Sequence, residues 1–223
     1  MRIIYNNAGL VLDFIDGIAE VIVIENAKVM RDFICEIWRD YSGHDAAIML
    51  IDEDKKLNMH KSAELIFNPF AIDVNSKKLK KLLYSEMKDI SNMECQLEFY
   101  DLQSNLIEYI NKVGSRLPYA ISFDGIVDFV DILQLMNTRF EIEDIDLEHK
   151  LTEYVKLVGQ LEGRKLFVFV NLKMYMEDSE IKELYKIAFY YGCSVMLIES
   201  AERRKFEEEH VTIIDKDQCI IEY

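Results

Sequence analysis

The chain has 223 residues, half of them hydrophobic and 30% charged, enough to bury one substantial core, and its eight glycines and two prolines leave no low-complexity linker. Its 41 acidic residues against 26 basic ones give a formal net charge of -15, which sets the surface as a whole against nucleic acid and anionic lipid. No stretch approaches the roughly 18 apolar residues of a membrane span, and the opening MRIIYNNAGLVLDFIDG lacks the basic and long apolar regions of a secretory leader, so a cytoplasmic protein with no membrane contact is expected.

Apolar runs bounded by turn residues recur at 20–25 (EVIVIE), 46–52 (AAIMLID), 64–69 (ELIFNP), 165–171 (KLFVFVN) and 194–200 (SVMLIES). Such near-continuous runs suit strands buried on both faces. Helical patterns separate most of them: NAKVMRDFICEIWRDY follows the first, and DSEIKELYKIAFYYG joins the last two, with Asp178 or Ser179 as N-cap and Gly192 just past the end. The alternation predicts an α/β fold with a largely parallel sheet. HVTIID and QCIIEY, on either side of Lys216 and Asp217, read as a terminal hairpin.

Residues 76–161 break this rhythm with helical periodicity and scarcely a strand. Leu102, Leu106, Ile110 and Val113 form one stripe, Ile126, Val130 and Leu133 a second, and Leu147, Leu151, Val155 and Val158 a third. The expected organisation is therefore an α/β head made of 1–90 and 160–223, with a helical leg inserted at 91–159. Stripes on such a leg must be buried against one another or against another subunit.

Charge is unevenly spread. Between residues 55 and 88 stand eight lysines and three acids, a local +5, while the remainder of the chain carries -20. DVNSKKLKKLLYSEMK (73–88) predicts a helix that starts near Lys77 behind Asn75 or Ser76. At about 100° per residue, Lys77, Lys78, Lys80, Lys81 and Lys88 share one face with Tyr84, and the leucines take the other. Lysines at a helix N-terminus oppose its macrodipole, so helix stability is not their reason. DEDKKLNMHKS adds Lys55, Lys56 and Lys61 in a polar loop between two strands.

Motifs for catalysis are sparse. No glycine precedes Lys-Ser or Lys-Thr as a phosphate loop requires, and there is no G-x-G-x-x-G. His44, His60, His149 and His210 form no zinc spacing. Cys35, Cys95, Cys193 and Cys219 are far apart and are expected as buried free thiols. Asp52 and Asp54 after a strand, with Lys55 close by, faintly match a nuclease metal site. Acids at Asp124, Asp128, Asp131 and from Glu141 onward supply the hard oxygens that Ca²⁺ favours, without EF-hand spacing.

The ordered set VIVIENAKVMRDFICEIW, IFNPFAIDVNSKKLKKLLYSEM, a long helical insert and LFVFVNLKMYMEDSEIKELYKIAFYYGCSVMLIES resembles the Csn-two family, the small CRISPR-associated spacer-acquisition protein of type II-A systems. The resemblance implies a P-loop-like head without a nucleotide site, a helical leg and a homotetrameric ring. It implies sequence-nonspecific binding of double-stranded DNA ends through a lysine-lined hole, Ca²⁺ ions that stabilise the ring, and a role in antiviral adaptation beside the CRISPR integrase proteins and the effector nuclease. It assigns no catalytic residue. Carried over by position, Lys55, Lys56 and Lys61 are the lead DNA-binding candidates, Lys77, Lys78, Lys80 and Lys81 join them, and Asp124, Glu141 and Glu143 are candidate metal ligands. Two other readings stand beside this one: a divergent metal- or nucleotide-dependent phosphotransfer enzyme centred on Asp52 and Asp54, and an acidic scaffold whose lysines bind an acidic protein.

Overall fold

The run Ala19–Ile24 is buried along its whole length, and it forms the middle of the main sheet. In this computed structural model, which describes residues 1–141, 146–163 and 165–222, β3 (Ala19–Ile24) pairs in parallel with β8 (Ser194–Glu199) and β9 (Glu209–Ile214). β7 (Leu166–Val170) lies parallel to β8, β6 (Ala63–Ile66) parallel to β7, and β10 (Ile220–Glu222) closes the far edge antiparallel to β9. The expected α/β class, largely parallel main sheet and terminal hairpin are all present.

Side-chain alternation assigns the two faces of this sheet. Ile22, Ile24, Leu166, Val168, Met196 and Ile198 share one core cluster with Phe33 and Ile37 of α1 (Ala27–Tyr41). Residues of opposite parity, such as Phe167 and Phe169, turn to the other face, where the Phe167 ring meets Tyr154 of α6 (Leu147–Glu162) at 6.4 Å. α6 in turn packs on α7 (Asp178–Tyr190). Each fully buried Leu, Ile or Phe is worth about 1.5–3 kcal/mol, so this double-sided burial dominates the stability of the sheet.

A second sheet departs from the expected pattern. β1 (Arg2–Tyr5) and β2 (Leu10–Asp13) form a hairpin, and β4 (Ile48–Asp52) pairs antiparallel with β1 instead of joining the parallel sheet. β4 is buried only at alternate positions, Ile48 and Leu50, as a strand covered on one face must be. The apolar run AAIMLID hides that difference because Met49 and Ile51 are apolar too. β5 (Lys55–Lys56) extends this sheet through a tight turn in which Glu53 and Asp54 take φ of 44° and 63°. The expected polar loop is thus a short hairpin followed by α2 (Met59–Ser62).

The chain divides into two compact units, one of Met1–Val74 with Ile142–Tyr223 and one of Asn75–Glu141. The expected leg at 91–159 differs at both ends. α6 belongs with the sheets because Leu151, Val155 and Val158 are each 0% exposed there, whereas the lysine helix α3 (Lys77–Glu94) belongs to the inserted unit. That unit also holds α4 (Gln96–Gly114) and α5 (Phe129–Leu135). Its entry and exit are tied together: Phe140 N–H donates to Asn75 Oδ1 at 2.9 Å, and Asn75 Nδ2 donates to the Phe140 carbonyl at 3.2 Å. Ile126, expected on a helical stripe, lies in a non-helical segment and is 90% exposed.

Two smaller expectations are corrected. The N-cap of α7 is Glu177, not Asp178 or Ser179, with Glu180 Oε2 accepting the Glu177 N–H at 2.6 Å. The four cysteines are free, but only Cys193 is buried: Cys35 is exposed on amphipathic α1, where apolar neighbours in sequence do not share a face, Cys95 caps the end of the lysine helix, and Cys219 just precedes β10.

Candidate nucleic-acid interface

Ser76 fixes where the basic helix begins. Its hydroxyl accepts the Leu79 N–H at 3.4 Å, and Leu79, 1% exposed, anchors the opposite face. With that face held, the spacing 77, 80, 81, 84, 85, 88 falls on one stripe, and the structure turns it toward α5. The result is an open groove of about 580 Å³ within the inserted unit, lined by Lys77, Lys80, Lys81, Tyr84, Ser85 and Lys88 on one side and by Val130, Gln134 and Asn137 on the other. The stripe from Lys77 to Lys88 is roughly 16 Å long at ~1.5 Å per residue.

Two groups fix the far wall. Tyr84 lines the groove while its hydroxyl donates to the Thr138 carbonyl at 2.9 Å. Lys88 pairs with Asp128 Oδ2 at 2.7 Å, and Asp128 also caps α5 by accepting the Val130 N–H at 2.8 Å. The Lys88 hydrogen bond, with that backbone N–H, holds the Asp128 carboxyl below its ordinary range. Lys77, Lys80 and Lys81 have no carboxylate partner among the described residues. With no acid in the first turn of α3, their charges add to the positive end of the helix dipole. The groove is therefore a concentrated positive surface on an acidic protein.

The seven candidate lysines do not form one set. Lys77, Lys80 and Lys81 come together in the groove; Lys78 lies exposed on α3 outside its lining. Lys55, Lys56 and Lys61 are exposed on the other unit. There Lys56 is committed to Asp40 at 2.7 Å, with the Asp40 side chain 4% exposed, and the Lys61 carbonyl accepts the Lys165 ammonium. Lys88 was visible at the right helical spacing, but Gln134 and Asn137 carry no signal in the sequence, since only the fold brings 134–137 beside α3.

The acids behave differently. Asp124 and Glu141 are exposed in non-helical segments, and Glu143 lies outside the described residues. Among the described residues no three His, Cys, Asp or Glu side chains gather as a metal-binding group. Asp124 and Glu141 do not on their own fit a calcium ion, which takes about 6–8 oxygens. Asp52 pairs with the Met1 amino group at 3.0 Å, and Asp54 sits exposed in the β4–β5 turn.

Fold and site together define a class: a mixed α/β protein with an inserted helical unit that carries a lysine-lined groove. The family model for the CRISPR-associated protein Cas_Csn2 matches residues 40–218, a span that includes both lysine sets. A relative, the CRISPR-associated protein Csn2 of Streptococcus agalactiae, is 19% identical over 214 residues, covering 91% of this chain and 90% of its own. This chain belongs to the Csn2 family of CRISPR-associated proteins, and neither of those descriptions names an enzyme. No helix among the described residues is long and apolar enough to cross a membrane.

Proposed function

We propose that this protein binds the ends of double-stranded DNA without sequence preference and without catalysis, as a homotetrameric ring that serves new-spacer acquisition in the cytoplasm beside the CRISPR integrase proteins and the effector nuclease. The observation that carries the reading is the groove of the inserted unit, where Lys77, Lys80 and Lys81 stand unopposed by carboxylates among the described residues. Family membership supports the CRISPR setting. In this reading the sheet unit is the P-loop-like head, without a nucleotide site, and the inserted unit is the leg.

Lysine is a compact point charge suited to phosphate contact, and it does not read base edges as a bidentate arginine does. A duplex carries about one charge per 1.7 Å of axis, so the stripe on α3 matches backbone at any sequence. One chain meets few phosphates, and several copies facing one duplex multiply the counterions released. The acidic remainder of the surface repels DNA from elsewhere. Self-association is supported by α4, which buries no residue and leaves Leu102, Leu106 and Val113 at 49%, 37% and 46% exposure. Calcium enters as a ligand shared through Glu143 or between chains, and no step of DNA binding is routed through it.

Gel shift of linear against closed-circular duplex tests the proposal. Binding to the linear form alone, lost in the Lys77→Glu/Lys80→Glu/Lys81→Glu variant, is expected. Absence of linear binding, with capture of an acidic protein instead, would favour the scaffold reading.

A further inference from the structure

Trp38 is the only tryptophan of the chain, and half of its surface is open to solvent near the end of α1. It belongs to a run of rings. Phe67, 41% exposed, meets Trp38 edge-on at 5.9 Å; Tyr41 stacks with Trp38 at 5.8 Å and 21°; and His60 meets Tyr41 at 4.8 Å. The lysine hairpin borders this run. Lys61 follows the exposed His60, and Lys56 is bonded to Asp40, the residue before Tyr41.

As a phosphate surface these lysines are weak. Asp40 meets the charge of Lys56, and Glu53 and Asp54 stand exposed in the adjoining turn. Open aromatic surface beside a few exposed cations is instead the arrangement that holds single-stranded nucleic acid, whose bases stack on rings while the backbone follows the charges. A paired duplex keeps its base faces inside its own stack and has little to offer such rings. We propose that the Phe67–Trp38–Tyr41–His60 surface takes the unpaired bases of a single-stranded DNA tail at a duplex end. The inference rests on the DNA reading above and assigns the sheet unit a different part of the same ligand from that held by the groove.

The single tryptophan supplies the readout. The full chain is titrated with a short blunt duplex, with the same duplex bearing a thymidine tail, and with a third whose tail is abasic, equal in charge but without bases. The thymidine tail should quench Trp38 emission and tighten binding about tenfold per stacked base, and the abasic tail should do neither. Trp38→Leu, which has no tryptophan left to emit and is read by gel shift, and Phe67→Ala, both at half-exposed positions, should each remove the gain in affinity while leaving blunt-duplex binding and the circular-dichroism spectrum unchanged. Equal affinity for the two tailed duplexes, the result expected of a patch that serves a protein partner, overturns the inference, as does a gain that survives both substitutions. Binding of the thymidine tail without binding of blunt duplex would strike the duplex reading and leave the ring surface standing.

Discussion

Glu199 closes β8 at 1% exposure, and burial pushes its carboxyl from 4.5 up to about 7 against the opposing pull of the Lys173 N–H, which it accepts at 3.0 Å, and of the Lys173 and Arg203 charges. Between those pH values the folded chain keeps a proton that the unfolded chain releases, so stability falls as pH rises from 4.5 to 7 and levels off above, by up to about 3 kcal/mol. Glu199→Gln keeps the acceptor and removes the titration; its urea midpoint should gain on the wild type through that window, and parallel curves would contradict the assignment. Nearby, Lys173 is 7% exposed and pairs with Glu209, 0% exposed, at 2.6 Å, while Tyr185 donates to the same carboxylate at 2.7 Å. Glu209→Ala leaves the ammonium buried without its carboxylate, with only the Arg204 carbonyl among the described residues, at 3.1 Å, to accept from it, and should cost roughly 3–5 kcal/mol in chemical denaturation. A loss near zero would show that Lys173 finds water instead. None of this was legible in the sequence, where Lys173, Glu199 and Glu209 look like ordinary surface charges. The Ser76 cap was legible because its partner is three residues away.

At the scale of elements, Gly159 shows why a poor helix former sits inside α6. A Cβ there would lie 2.7 Å from Tyr191 Cβ and 3.4 Å from Cys193 Sγ, so the glycine lets the segment after α7 close on α6. Gly159→Ala gains helix propensity of about 1 kcal/mol and meets an atom fixed to the backbone. It should therefore lower the thermal midpoint, with a net loss of roughly 1–3 kcal/mol; an unchanged or raised midpoint would mean that the two helices separate freely. Periodicity identified α3, α4 and α6 because their stripes run over several turns. It failed at Ile126, where three apolar residues at helical spacing straddle the start of α5, and at β4, where apolar residues on both parities conceal a strand covered on one face. The β1–β2 hairpin escaped notice because each strand is only four residues long.

For the whole molecule, the strands of the main sheet and the long helices were readable along the chain, whereas the second sheet was not, and the groove needed residues 77–88 and 130–137 to meet. The sequence weighed the Lys55, Lys56 and Lys61 loop above the α3 lysines. The proposed function favours the α3 set because Lys77, Lys80 and Lys81 line one groove and have no carboxylate partner among the described residues, whereas Lys56 of the loop has its charge met by Asp40. In the proposed function these three lysines hold duplex backbone. Glutamates in the first turns of α3 suit the helix dipole, so the Lys77→Glu/Lys80→Glu/Lys81→Glu variant should fold as well as the wild type, verified by circular dichroism. The most direct measurement is the affinity of both proteins for linear duplex across a salt series. Wild-type log affinity should fall linearly with log salt, and the variant should lose measurable binding or have its slope reduced by roughly 0.9 for each phosphate contact removed. Equal slopes and affinities in the two proteins would contradict the proposed function.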